Sequence, residues 1–219
     1  MNFDLAYTWD AMPRLLEGAW MTVQVSFLAF FCAIGLAIAI TLLRRLEWRA
    51  IDAVIAVYIS FIRGTPVLIQ IFLVYYVLPV VGIDIGAVTA GVLALTLNSA
   101  AFQIEIFRGG LAALPRSQIE TARSLGIPPP VMWLKIILPQ LFISTTPPLV
   151  NEFTLVVKST PLVSVITVVE LMRVSQQIFS SNFHPIEVLL GAFVLYFVIC
   201  FAGSQLSRWL EARNQLKRA

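Results

Sequence analysis

The sequence predicts an all-α integral membrane protein, with five transmembrane helices and one water-exposed elbow between the third and the fourth. Three observations carry that expectation. Hydrophobic residues make up 59% of the chain and charged ones only 12%, about half the charged share of an average soluble domain. Mean hydropathy is +0.88. The apolar residues gather into runs of about 20, the length needed to cross roughly 30 Å of hydrocarbon. Composition therefore leaves no room for a soluble catalytic domain of ordinary size, and residues 1–219 read as one membrane domain. The net charge of +3 sits at the ends of the runs. It does not follow a face with interleaved aromatics, so no nucleic-acid partner is expected.

Met1 to Gly18 mixes charge with Trp9, Leu5, Leu15 and Leu16 and reads as an interfacial lead-in. The first span, 19–43, is uncharged and ends at Arg44, Arg45, Glu47, Trp48 and Arg49, a basic interface marked by Trp. The second, 52–79, is interrupted at Arg63-Gly64-Thr65-Pro66, where Pro66 removes a backbone donor and disfavours helix at Thr65. The third, 87–107, is polar at Asn98, Ser99, Gln103 and Glu105. The fourth, 141–160, carries Pro147-Pro148, Asn151, Glu152 and Lys158 and is expected to break at Thr160-Pro161. Pro161 to Met172 is too short to cross alone and reads as re-entrant or interfacial. Arg173 to His184 is a polar surface connection with a solvated His184, and 186–207 is the last span. Cys32 and Cys200 lie in apolar runs far from any His, so neither a disulfide framework nor a metal site is expected.

Between the third and fourth spans, 109–139 is too rich in charge to enter hydrocarbon, with Arg116, Glu120, Arg123 and Lys135 along it. Pro115 suits a helix start, and Ile119, Ala122 and Leu125 recur every three positions. Gly126 falls where a helix end needs positive φ. Pro128-Pro129-Pro130 then lead into a second short helix ending before Pro139. Five crossings put the termini on opposite sides. The loop with Arg44, Arg45 and Arg49, the elbow, and the tail with Arg208, Arg213, Lys217 and Arg218 share one side, the richer in cations. The positive-inside rule makes that side cytoplasmic, with the N-terminus outside.

Two constellations can carry function. The elbow offers a compact surface to a soluble partner, with small residues Thr121 and Ala122 allowing close approach beside Glu120, Arg123, Leu125 and Gly126. Within the spans, a charge near the bilayer centre costs on the order of 3 kcal/mol, so Glu152 and Lys158 are expected to line a path. The break at Thr160-Pro161 is expected to free carbonyls around Lys158, Ser159 and Thr160 toward a cavity, with Asn98 and Arg63/Thr65 as opposite walls. Arg63 paired with Glu105, and Asn98 bonded between helices, are equally weighted as purely structural roles. Neither Gly-x-x-x-x-Gly-Lys-Ser/Thr, His-Glu-x-x-His nor Gly-x-Ser-x-Gly occurs, so nucleotide binding and hydrolysis have no recognisable machinery in this chain.

Glu120-Thr121-Ala122, Gly126, and Ile136-Ile137-Leu138-Pro139 at their fixed spacing resemble the coupling-loop signature of ABC-importer permeases. That signature has Ala where this chain has Thr121. Phe61 to Pro66, Glu105 to Gly110, Pro147 to Phe153 and Lys158 to Ile166 are similar to polar amino acid permeases, where Lys158-Ser159-Thr160-Pro161 stands in place of the usual Lys-Asp-Thr-Ser. The resemblance implies a type I importer transmembrane domain in the bacterial inner membrane, without a cofactor of its own. It also implies two ATP-binding subunits carrying ATP and Mg, a second permease copy or homologue, and a periplasmic or lipid-anchored solute-binding protein. An ion-coupled secondary transporter is the rival reading, disfavoured by the lack of an inverted repeat. A non-transporting assembly subunit is the other, disfavoured by the polar residues in the spans.

Overall fold

The computed structural model describes residues 4–216, whose regular elements are all helices with no strand among them. Lys217 and Arg218 of the basic tail, and Met1 to Phe3 of the lead-in, lie outside these residues. The elements are α1 (Ala6–Leu43), a 3-10 turn (Arg44–Leu46), α2 (Arg49–Gly64), α3 (Val67–Val80), α4 (Ala87–Ala112), α5 (Arg116–Ser124), α6 (Pro129–Ile166), α7 (Leu171–Asn182) and α8 (Pro185–Leu216). Four of them, α1, α4, α6 and α8, are long and apolar enough to cross a membrane. The pair α2/α3, bent by 113°, makes a fifth span if counted as one.

The lead-in is not a separate segment: α1 runs unbroken from Ala6, with Pro13 inside it. A proline there forfeits one ladder bond, and packing keeps the rest of the rod. Leu15 and Ala19 press into a cluster with Leu171, Val174, Ile178 and Val188, so α1 is clamped by α7 and α8 before it reaches mid-membrane. A Cβ on Gly18 would come within 2.9 Å of Leu171 Cα, which measures how closely α1 and α7 approach. Deeper in, Val25, Ala29 and Phe30 share a core with Ile71, Leu95, Val156, Val163 and Ile166. A third cluster joins α1, α2 and α4 through Ala37, Ile55, Ile59, Ile62, Ala101 and Ile104. The outward faces stay apolar, as Phe27, Val54, Val57, Phe61, Phe193 and Phe197 all remain exposed. Such faces suit hydrocarbon or a partner span rather than water.

Four expectations from the elbow onward are corrected. The elbow's second helix does not stop before Pro139 but continues into the span as α6. Trp133–Ile137 is a π-helical turn, and that widened turn admits the ring of Pro139 just beyond it. Pro147-Pro148 sit inside helix, within the span as the sequence places them. At Thr160-Pro161 the chain does not unwind but tightens into a 3-10 helix, Thr160–Ile166, ended by Thr167 at φ +71°. The surface connection is itself a helix, α7, begun by a buried acid: Glu170 is fully buried and its carboxylate accepts from Arg173 N at 2.9 Å. Tyr196 on α8 donates to the same carboxylate at 2.6 Å and Thr22 on α1 at 3.4 Å, so one capping residue ties three helices. His184 is not free in solvent; it stacks on Tyr7 at 3.7 Å and lies 3.4 Å from Glu187.

Candidate functional site

The elbow is the first candidate. α5 starts after Pro115, whose carbonyl accepts from Gln118 N at 3.1 Å. Its end closes in the two-bond pattern that glycine permits. Gly126 N donates to Arg123 O at 2.9 Å, and Ile127 N to Ala122 O at 3.0 Å, with Gly126 at φ +70°. Those bonds fold Ile127 back onto Ala122, and a small core forms there with Met132, Ile137, Leu111 and Leu114. Ala122 is 3% exposed. Its small side chain serves that core, which corrects its assignment to the partner-facing surface. Glu120, Thr121, Arg123, Leu125 and Gly126 all stay exposed, Leu125 at 73%. This is an unpartnered apolar tip between an acid and a base, held by a turn that is rigid without being buried. Gln118 on α5 and Gln140 on α6 bond at 2.8 Å, tying the elbow's two arms.

The second candidate begins at the bend between α2 and α3. Pro66 has no N–H, so Ile62 O loses its helical partner four residues on. Gln70 supplies the replacement: its Nε2 donates to Ile62 O at 2.8 Å and also reaches Thr65 O and Thr65 Oγ1, at 3.1 and 2.9 Å. Thr65 Oγ1 in turn donates to Phe61 O at 2.8 Å. The bend is thus satisfied from within. Gln70 Oε1 then accepts from Asn98 Nδ2 on α4 at 2.9 Å, which fixes the orientation of the Asn98 amide.

Asn98, Phe102, Glu152 and Ser159 line a cleft of about 160 Å³ between α4 and α6, with Leu95, Leu155 and Val156 as its apolar walls. Glu152 is 5% exposed and accepts from Ser99 Oγ at 2.8 Å, while Ser99 Oγ accepts from Gln103 Nε2 at 3.1 Å. Gln103 Oε1 is buried without a hydrogen-bond partner among the described residues. Ser159 Oγ donates to Leu155 O at 2.9 Å. With the Ser99 and Ser159 hydroxyls and one Asn98 N–H committed, Asn98 keeps its Oδ1 and a second N–H, and the second oxygen of Glu152 and the lone pairs of Ser159 remain as acceptors. Acceptors outnumber donors in this apolar cleft, and it suits a cationic N–H group.

Of the seven residues expected to line a path, Asn98, Glu152 and Ser159 come together here, and Thr65 is joined to them through Gln70. Arg63 sits beside the cleft, its guanidinium 5.7 Å from the Phe102 ring centre. Its contact with Glu105 is long, at 3.9 Å, because Arg108 holds that carboxylate at 2.7–3.1 Å. Lys158 and Thr160 are not brought in. Lys158 is exposed, on a different side of α6 from Glu152, and Thr160 is fully buried, donating to Val157 O at 2.7 Å. Gln70 was missed by sequence reading. Its signal is position: a lone amide eight residues after Ile62 and four after Pro66, inside an apolar run. Ser99 and Glu170 were missed in the same way, as polar groups whose partners lie on distant helices.

A family model described as the inner membrane component of binding-protein-dependent transport systems matches residues 29–215. The chain is 34% identical to the L-cystine transport system permease protein of Bacillus subtilis, over 97% of this chain and 94% of that one. It is 33% identical to the glutamine transport system permease protein of Escherichia coli, over 99% and 100%. In structure it superposes on a chain of an amino acid ABC transporter crystallised with histidines at a TM-score of 0.90 and 35% identity, covering 97% of this chain and all of that one.

Proposed function

Because the chain belongs to the family of inner membrane components of binding-protein-dependent transport systems, we propose that it is the permease for a polar amino acid whose ammonium group passes through the cage at Asn98, Glu152 and Ser159. The observation that carries this reading is the cleft itself, lined by buried Glu152, which has one oxygen committed to Ser99 and the other with no donor among the described residues. A buried carboxylate without a cation is costly; a passing ammonium offsets that cost. The relatives named for L-cystine and glutamine transport agree with an amino acid as cargo.

The energy comes from elsewhere. ATP and Mg belong to a partner pair of ATP-binding subunits, and this chain has no nucleotide site of its own. A solute-binding protein delivers substrate on the face opposite the elbow. The elbow faces the cytoplasm and the N-terminus lies outside, as the basic side of the chain requires. Glu120, Thr121, Arg123, Leu125 and Gly126 make the contact with the ATPase. Lys158 supports pairing with a second permease copy or homologue, since an exposed ammonium in a span is stable only toward a polar path or a partner. Nucleotide state in the partner biases two arrangements of the spans.

The test is uptake by the complex reconstituted with its ATPase and binding protein. Glu152→Gln keeps an acceptor for Ser99 and removes the charge. Half-saturating substrate concentration is expected to rise tenfold or more, about 1.4 kcal/mol of lost interaction, while the complex still assembles. Unchanged uptake by Glu152→Gln would remove the cage from the path.

A further inference from the structure

A cleft of about 240 Å³ opens between the end of α1 and the last turns of α4, lined by Thr41, Arg44, Ile104, Arg108 and Leu111. None of these residues belongs to the elbow's exposed tip or to the cage at Glu152. Both arginines are only partly engaged. Arg44 uses Nε toward Asp52 at 3.2 Å, and Arg108 uses Nε and one Nη toward Glu105. Each guanidinium carries five N–H donors, so several remain on both. These existing pairs are partly exposed, with side-chain accessibilities between 24% and 58%, and exposed pairs hold their partners weakly. Arg63 also comes within 3.9 Å of Glu105. Three guanidiniums thus face two carboxylates, leaving the region net positive.

Beside the cleft, Leu42, Leu43, Leu46 and Trp48 stand exposed around the end of α1. A Trp-marked apolar collar belongs at the boundary of hydrocarbon and headgroups. A cationic rim, an apolar floor at Ile104 and Leu111, and a collar that needs hydrocarbon together describe a socket for an amphiphile. Guanidinium pairs are suited to phosphate oxygens, which they can grip with two parallel N–H bonds. We propose that this cleft binds an anionic phospholipid, its phosphate between Arg44 and Arg108 and its acyl chains along the exposed end of α1. Inorganic phosphate shares the oxyanion chemistry but gains nothing from the collar. The proposal does not depend on the cargo, only on the elbow end of the bundle meeting a headgroup layer.

The test uses the whole detergent-purified complex, titrated with short-chain phosphatidylglycerol, short-chain phosphatidylcholine or inorganic phosphate. Thermal stability and lipid adducts in native mass spectrometry are read together. Phosphatidylglycerol is expected to raise the melting temperature and remain as an adduct, and the other two to do neither. The double variant Arg44→Gln/Arg108→Gln should bind phosphatidylglycerol about tenfold more weakly or worse. An equal response to phosphatidylcholine would overturn the proposal, as would an equal response to inorganic phosphate, which would mark a free-anion site. Undiminished adducts on the double variant would also overturn it. Should that variant not accumulate, the three-way comparison on the unaltered complex still decides.

Discussion

Gly126→Val isolates backbone conformation from every other effect at the elbow. Gly126 sits at φ +70°, and a Cβ built there meets nothing within 4 Å. No clash and no loss of burial accompany the change. What remains is the cost of holding an L-residue in the left-handed region, about 1–2 kcal/mol, with a β-branched side chain at the upper end. That cost lowers the equilibrium ratio of intact to opened turn by roughly 5- to 30-fold. The turn's two closing bonds, from Gly126 and Ile127, go with it, and Ile127 no longer covers Ala122. The three clusters that hold the spans together lie elsewhere, so insertion and abundance should stay normal. The assay is substrate imported per ATP hydrolysed in proteoliposomes. The ratio is expected to fall for Gly126→Val, by about 30-fold at most, while Gly126→Asn, which tolerates positive φ, stays near the unaltered chain. A normal ratio for the Val variant would refute the reasoning. So would an Asn variant as defective as Val, because conformation would then not be the variable that matters.

Gln70→Leu should remove the donor that replaces the missing N–H of Pro66 and release the Asn98 amide. Leaving a buried acceptor unpaired costs about 1–3 kcal/mol, read as a lower melting temperature together with weaker substrate-stimulated ATPase activity. Gly110→Val should place its Cβ 2.5 Å from Thr145 Cγ2 and 2.8 Å from Leu141 Cδ1, forcing α4 and α6 apart. Overpacking of this kind costs about 1–3 kcal/mol, visible as reduced thermal stability of the purified complex. Tyr196→Phe should remove the 2.6 Å bond to Glu170 and loosen the joint of α1, α7 and α8. A loss of about 1.5–3 kcal/mol is expected for a hydrogen bond to a carboxylate, with Tyr196→Phe still able to fill the same space.

Hydropathy located the spans because burial in hydrocarbon is additive along a chain, and a run of apolar residues states it directly. The bend at Pro66 was legible for the same local reason: one residue removes one donor. The elbow's turn was readable because helix, cap and glycine lie within a dozen neighbours. What sequence could not give is which polar group meets which. Gln70 repairs a carbonyl on its own span, but its second bond crosses to Asn98, and nothing local announces that partner. Glu170 looks like an isolated acid in an apolar run until Tyr196 and Thr22 arrive from two other helices. Proline was over-read at Pro139 and at Pro161, where the helix was expected to stop. Pro139, Pro147 and Pro148 each cost a ladder bond, yet α6 continues through all three, since a helix packed on neighbours loses less by a missing bond than by stopping.

In the proposed transport cycle, the continuity of α6 would let the elbow act on the cage at Glu152. Had the helix ended before Pro139, a pull on the elbow would have been absorbed by a flexible joint. Instead one rod leads from Pro129 to the 3-10 turn ending at Ile166, with Glu152 about 35 Å from its elbow end at 1.5 Å per residue. Near its start the rod is tied to α5 through Gln140 and Gln118, and it is seated on α4 where Gly110 lets Leu141 and Thr145 approach. Between seat and cage stand Pro147 and Pro148, the two places where the ladder is thinnest and bending is easiest. Below them the rod must follow the elbow. Above them it carries the carboxylate that faces α4 across the cleft. A tilt at that point would move Glu152 relative to Asn98 across the cleft, and it would have to carry Val156, Val163 and Ile166 against the core they share with α1 and α4.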